Sequence, residues 1–468
     1  MSSSASTSSS QLGRGGRRRR GRRVVEGSGD GDGGQRRRGR PSSSSSPQQP
    51  PPNGFWPEPF VEALALQVAI DAVRTSGRLA AAPAIANVFQ VCSTWRAVSH
   101  SNHLWQDLSR RIWRRQLLLR ETWRDEFIFW HRTAHNFRIR RAVYTRLEID
   151  DGDSDGNGIE LICRRLALSN MFLACGFVDG SVRLFDLSSG LHVSTYRSHH
   201  DDRLGRFSRA VSGIVINDDP KVVFATMDGD VHVAIIGGAD TRRAQEGNVV
   251  NDGALVDFAG CRRWWVGLYA GVPGRAFHVW DGVTEELLYV GGTLTDPEAV
   301  MGWHMLTEWS ESLGRVRVSS LECAVACTSV GILVLGLRDQ LVLGSEEFEE
   351  GLIVDSFDVS GELCLLVDSS GTASVRRVGN MEEVYGFRLR GGGGGGGGGG
   401  RVLGCINGGY VFLCIGGTVR VWDVEHGRSL YHLRERIREE ARALIADERY
   451  VAACSGNTQI HLWDFGAL

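Results

Sequence analysis

The sequence is short of most things that announce chemistry. No Gly-x-Ser-x-Gly, Walker-type or His-Glu-x-x-His pattern occurs, and the 13 histidines are scattered. No catalytic site, cofactor or metal is therefore expected, and the chain reads as non-enzymatic. Its 10 cysteines include no C-x-x-C pair, and Cys323 and Cys327 have no matching His or Cys pair nearby. That excludes a zinc-finger frame and, in a chain this long, a disulfide framework. Cys175, Cys364, Cys414 and Cys454 lie in apolar runs just before turns and read as small core residues. No apolar run approaches the roughly 20 residues that cross a bilayer. The N-terminus is Ser-rich and then Arg-rich, without the apolar core of a signal peptide. A soluble, intracellular protein with no membrane partner is expected. Lysine is nearly missing: Lys221 stands alone among 53 Lys and Arg residues.

What is present falls into blocks. Hydrophobic residues at 42 % and charged residues at 23 % suit a globular body, and 468 residues suit two or three structural units. Residues 1–53 are low in complexity, with Ser runs, Arg blocks and then Ser and Pro. Such a segment cannot bury enough apolar surface to offset the entropy of ordering, so it is expected to be a disordered arm. The arm is basic and the rest of the chain mildly acidic. Its block Arg17, Arg18, Arg19, Arg20, Arg22 and Arg23 can serve nuclear import, can be an inert solubilising tail, or can touch nucleic acid non-specifically. Gly391 to Gly400 form an unbroken glycine run that reads as a loop insertion, since no strand–Gly–helix context surrounds it.

From Phe55 to about Arg141 the period is helical. Phe60, Val61, Leu64, Val68 and Ala72 recur at three- and four-residue spacing, and Gly77 follows where a C-terminal cap belongs. Pro83 can open a second helix, where its missing N–H costs nothing, with Ile85, Val88, Phe89 and Cys92 on its apolar side. Further helices are expected over 102–115 and 120–135, both rich in Trp.

After about residue 140 the period becomes alternating, and one frame recurs every forty to fifty residues. A strand ends in small residues, a Gly turn follows, and the next strand often closes in aromatic–Asp. The clearest copies are Phe172–Asp186, Tyr410–Asp423 and Tyr450–Asp464; weaker ones lie at 223–236, 265–281, 324–343 and 363–378. Seven such units mark a seven-bladed β-propeller of four-stranded blades. The last copy ends almost at Leu468, so Arg141 to Ile149 is expected to supply its fourth strand and close the ring.

The stretch Val91-Cys-Ser-Thr-Trp95 followed by Leu104-Trp105 resembles the second half of an F-box, and the repeats resemble WD repeats. Trp56-Pro57-Glu58-Pro59-Phe60 stands where that family opens with Leu-Pro, and the Ala-rich stretch 77–84 looks like an insertion. Together the segments resemble a plant family of F-box/WD-repeat proteins. The expected division is a disordered arm (1–53), an all-α F-box-like domain (54–108), a helical bridge (109–140) and an all-β WD-type propeller (141–468). The resemblance implies a substrate-recruiting subunit of a ubiquitin ligase. Its helices would dock a Skp-type adaptor and, through it, a cullin, while the propeller holds a target protein. It further implies a nuclear regulator of flower and organ development that acts by turnover of transcriptional regulators.

The adaptor face implied by the motif comprises Pro57, Phe60, Leu64, Val91, Cys92, Trp95, Leu104 and Trp105. From the residues alone, these side chains can equally pack against the bridge or the propeller. The WD set of buried His, Ser or Thr, and Asp is represented by His199 and Asp228 at most. The single lysine would leave a ligase receptor hard to ubiquitinate itself, although coding bias toward Arg, Gly and Ala explains the composition as simply. A propeller scaffold in a transcriptional complex, without a ligase role, is the alternative function.

Overall fold

The computed structural model describes residues 56–149, 161–198, 206–217, 219–238, 240–293, 314–328, 330–348, 354–389, 401–438, 440–456 and 459–467. The basic arm, His199 and the glycine run lie outside the described residues.

Five helices come first: α1 (Glu58–Ser76), α2 (Ala81–Phe89), α3 (Ser93–Val98), α4 (Asn102–Trp113) and α5 (Trp123–Ile139). Gly77, at φ +83°, ends α1 as expected. α2 starts two residues before Pro83, which still falls in the first turn, where no N–H is needed. Ser101 Oγ accepts from Leu104 N at 3.4 Å to cap α4, and Thr122 Oγ1 accepts from Asp125 N at 3.1 Å to cap α5.

These helices share one core. Val61, Ala65 and Ala69 of α1 meet Ile85 and Val88 of α2, Leu104, Trp105 and Leu108 of α4, and Phe127 and Trp130 of α5. α4 runs through residue 108, and α5 packs into the same cluster as α1. The expected boundary between an F-box-like domain and a separate bridge is therefore replaced by one helical domain.

The remainder is the seven-bladed propeller. Among the described residues, seven four-stranded antiparallel sheets span 163–197, 211–245, 254–291, 314–347, 354–388, 403–432 and 441–464. The ring closes as the sequence suggests: β1 (Val143–Leu147) pairs antiparallel with Ile460–Asp464 and completes the seventh blade. The seam is apolar, with Leu147 packed among Phe177, Phe185, Ile460 and Leu462, so the first and last segments of the propeller share a core. Neighbouring blades bury Val, Leu, Phe and Trp side chains against each other, and no blade could hide both faces alone.

The first strand of each blade lines the central channel. Five of these seven strands carry a bulge, at Arg164, Ser212, Val256, Asp355 and Arg442. A bulge leaves one residue unpaired and re-aims its neighbours, and here it turns polar groups toward the axis.

Candidate functional site

Strand parity gives the ring two unlike faces. One carries the turns between the first and second and between the third and fourth strands of each blade. The other carries the second–third turns and the connections between blades. Every contact between the helical domain and the propeller described below falls on the first face.

The α1–α2 corner supplies one anchor. Arg78 donates its backbone N–H to Glu425 Oε1 (2.9 Å) in the sixth blade and its Nη1 to Glu448 Oε2 (3.1 Å) in the seventh. Its guanidinium also lies 5.3 Å from the Trp113 ring, so it bridges helices and blades. The Ala-rich stretch 77–84 thus contributes one attachment of the domain to the propeller. The left-handed turn after α4 supplies a second anchor. Arg114 reaches Glu362 of the fifth blade at 3.4 Å, and Arg115 reaches Asn170 Oδ1 of the first at 2.9 Å. Arg115 lies 3.5 Å over Trp130, whose Nε1 donates to the fully buried Glu126 at 2.6 Å.

The third anchor is the end of α5. Phe137 stacks on Phe465 at 3.8 Å and on Tyr410 at 5.2 Å. Asn136 Nδ2 donates to Phe465 O (2.8 Å), Tyr410 OH donates to Ala134 O (2.8 Å), and Tyr431 OH donates to Phe137 O. Hydrogen bonds spread over four blades fix the domain in position as well as orientation.

The expected adaptor-face residues divide into two groups. Leu104 (2 % exposed) and Trp105 (7 %) are core residues, and Trp105 Nε1 donates to Ser99 O at 2.7 Å. They serve chiefly as core residues that support the domain, which corrects their place on that face. Motif position alone could not separate an aromatic that packs inward from one that faces out. Phe60 and Val91 are 46 % and 62 % exposed, Pro57 and Cys92 are exposed, and Leu64 and Trp95 are half-buried. Trp56 stacks on Phe60 at 4.8 Å and adds an exposed indole. α1 and α2 pack together across the Gly77 turn. Trp56, Phe60 and Val91 are apolar side chains that this part of the domain leaves exposed.

The channel holds a constellation that the repeat pattern did not reveal. A cavity of about 390 Å³ is lined by Arg164, Arg165, Asp257, Arg315, Arg317 and Asp358, among others. Asp257, fully buried, accepts from Val316 N (2.8 Å) and Arg317 Nη1 (2.9 Å) and lies 3.3 Å from Arg165 Nε. Arg165 also donates to the bulge carbonyls of Ser212 (2.7 Å) and Val256 (3.1 Å), groups the ladder leaves unpaired. Arg317 Nε continues to Asp358 at 3.2 Å, and Asp358 Oδ2 accepts from Ile406 N at 3.0 Å. One polar chain thus ties the first six blades across the axis. Burial pushes the Asp358 carboxyl up, against the pull of Arg317. Five of the seven first strands carry a charged residue amid apolar neighbours, but the strands of the second and sixth blades do not, so no regular repeat marks the network.

Other candidates resolve into structure. Cys175, Cys364, Cys414 and Cys454 are buried, and the ten cysteines are all unbridged. Asp228 accepts from Thr226 Oγ1 (2.6 Å) and Asp230 N (3.1 Å), holding the turn of the second blade. Asp423, Glu425 and His426 lie close enough to share an ion. Each already has an internal partner, His426 Nδ1 being 2.8 Å from Asp423 and Glu425 accepting from Arg78. Among the described residues, no helix is long and apolar enough to cross a membrane.

On the second face, His278 is 3 % exposed, stacks on Tyr269 at 4.0 Å and has Asp252 at 3.8 Å. Burial pushes its pKa below the ordinary value despite that carboxylate. A native state that resists the proton loses stability once the unfolded chain takes it up, below about pH 6.5. The loss grows as pH falls toward the depressed native value. Thermal melts at pH 7 and pH 5 are expected to show a drop that His278→Gln reduces, while His131 and His461, whose pKa values burial also lowers, keep part of it; an unchanged pH dependence in the variant would place the effect elsewhere.

A helical domain bolted to one face of a seven-bladed propeller, carrying exposed apolar side chains, has the architecture of a protein-interaction module. The chain is 56 % identical over 423 residues to the Transcriptional regulator STERILE APETALA of Arabidopsis thaliana, an alignment spanning 89 % of this chain and 93 % of that protein. It belongs to the STERILE APETALA family. No protein-family model matches the chain. Among solved structures, the computationally designed Ika8 protein aligns with a TM-score of 0.45 and 16 % identity over 66 % of this chain and 98 % of that one, a likeness too loose to bear on the fold.

Proposed function

We propose that this chain is the non-catalytic, target-recruiting subunit of a Skp–cullin–F-box ubiquitin ligase that acts in the nucleus on transcriptional regulators. The observation that carries the proposal is the exposure of Trp56, Phe60 and Val91 on a helical domain that is itself fixed to the propeller. Exposed aromatic and aliphatic residues on a rigid support are what a partner's groove takes up. Val91 and Cys92 of the Val91-Cys92-x-x-Trp95 stretch are exposed, which supports a Skp-type adaptor as the partner. The nuclear and transcriptional part rests on the relative, which is named a transcriptional regulator. The target binds the face of the ring opposite the helical domain, where the loops between blades gather.

The test is capture of purified full-length chain by a Skp-type adaptor. Phe60→Ala with Val91→Asp is expected to weaken capture by about 2 kcal/mol or more, roughly thirtyfold in Kd. Both positions are exposed, so stability should move by less than about 0.5 kcal/mol. Wild-type chain that ignores the adaptor, yet still co-purifies with nuclear transcription factors, would favour the scaffold without a ligase role.

A further inference from the structure

We infer that a ligase assembled on this chain is spared from modifying its own receptor, because the chain offers a single lysine and the fold holds that lysine's amine in place. The inference rests on the ligase function proposed above. Ubiquitin transfer needs a neutral primary amine. The lysine nitrogen attacks the thioester carbonyl of a ubiquitin-charged conjugating enzyme, the N–C bond forms and the C–S bond breaks. The enzyme's thiolate leaves, and the lysine's protons pass to solvent. A guanidinium cannot take this part, since its charge is delocalised and it keeps its proton at any physiological pH.

Lys221 is the only lysine among the 53 Lys and Arg residues of the chain. Arginine therefore supplies the positive surface charge almost alone, with solubility kept and acceptors removed. Lys221 opens the second strand of the second blade, half-buried in the wall of a groove of about 530 Å³. Its Nζ donates to Gly282 O of the third blade at 2.9 Å and lies 5.2 Å from the Trp265 ring centroid. To reach a thioester the amine must give up both contacts and leave the groove. The other residues at the groove mouth do not substitute for it: Arg242 is paired with Glu285 at 2.6 Å, and Arg262 with Asp219 at 3.2 Å. Whatever favoured arginine codons, the chemical consequence is the same.

The experiment uses full-length chain in two measurements. In the first, a lysine-acylating succinimide ester is titrated against wild type and against a variant carrying Arg74→Lys and Arg262→Lys. Those side chains are 73 % and 78 % exposed, and the replacement keeps the charge. Peptide mass spectrometry is expected to show Lys221 reacting about tenfold more slowly than the introduced lysines, the factor for a hydrogen bond and a cation–π contact. Equal rates overturn the inference without touching the ligase function. In the second, the same proteins are assembled with adaptor, cullin–RING module, activating and conjugating enzymes and ubiquitin. Wild type and Lys221→Arg are expected to stay unmodified while the two-lysine variant acquires a ladder. Modification of wild type at Lys221 or at its terminal amine overturns the inference, as does a two-lysine variant that binds adaptor yet stays unmodified. Failure of wild type to bind adaptor at all removes the ligase function instead, and is read separately from the acylation rates.

Discussion

Replacing Trp105 by alanine is expected to unfold the helical domain and to abolish adaptor capture only as a consequence. The indole is 7 % exposed, donates from Nε1 to Ser99 O at 2.7 Å, and meets Phe89 at 6.1 Å and Phe127 at 5.2 Å between ring centroids. Removing it opens a cavity between α2, α4 and α5 and leaves a backbone carbonyl without its donor. Large-to-small changes of this kind cost about 3–5 kcal/mol, and a helical core this small has little to spare. Hydrogen exchange read over α1 to α5 should accelerate throughout, while the propeller strands keep their protection. The comparison with Phe60→Ala/Val91→Asp separates folding from docking: that variant should lose capture with its helical protection intact. If Trp105→Ala leaves exchange in the helices unchanged, the indole is a surface group and its burial here is wrong.

How far the sequence could be read depends on the kind of order each part uses. The propeller was legible because a blade repeats. Phe172–Asp186, Tyr410–Asp423 and Tyr450–Asp464 share one frame, and each sits on the second and third strands of its blade. Those two strands are flanked on both sides within the sheet, so they carry the strongest apolar pattern. The missing fourth strand at the C-terminus was legible for the same reason, by counting. The first strands were not, because their residues answer to the channel axis and not to the repeat. Arg165, Ser212, Asp257, Arg317 and Asp358 differ in type and make one network only when the bulges point them inward.

The helical segment was legible as helices and misleading as domains. Its spacing fixed α1, α4 and α5 to within a few residues, since capping residues such as Ser101 and Thr122 act locally. Where one domain stops depends on which faces meet, and Phe127 of α5 meets Trp105 of α4 across the boundary that the F-box resemblance implied. The same non-locality explains Leu104 and Trp105: a motif gives residue type and spacing, while the direction a side chain takes is set by the rest of the domain. The junction had no sequence signal at all. Arg78, Arg114 and Arg115 look like ordinary surface arginines until Glu425, Glu448, Glu362 and Asn170 are brought under them by a fold several hundred residues long.

Asp257→Ala is expected to be among the most damaging single changes in the propeller, although it removes no apolar surface. Its carboxylate is fully buried and is the acceptor for Arg317 at 2.9 Å and Val316 N at 2.8 Å, with Arg165 at 3.3 Å and Arg315 at 3.7 Å. Taking it away leaves positive charge in the channel with fewer counter-charges and a backbone donor without its acceptor. Breaking a buried pair by removing one partner costs about 3–5 kcal/mol, more than the pair gains over an apolar replacement. Asp257→Asn should recover little, because an amide keeps the shape but not the charge. High salt should not mask the loss either, since buried groups are poorly screened. Asp257→Ala with Arg317→Met is the decisive comparison, scored by denaturant unfolding. The double variant should fall short of the summed single effects by about 1 kcal/mol or more, as residues sharing one network do. Strict additivity would mean that the two groups are held by the blades independently.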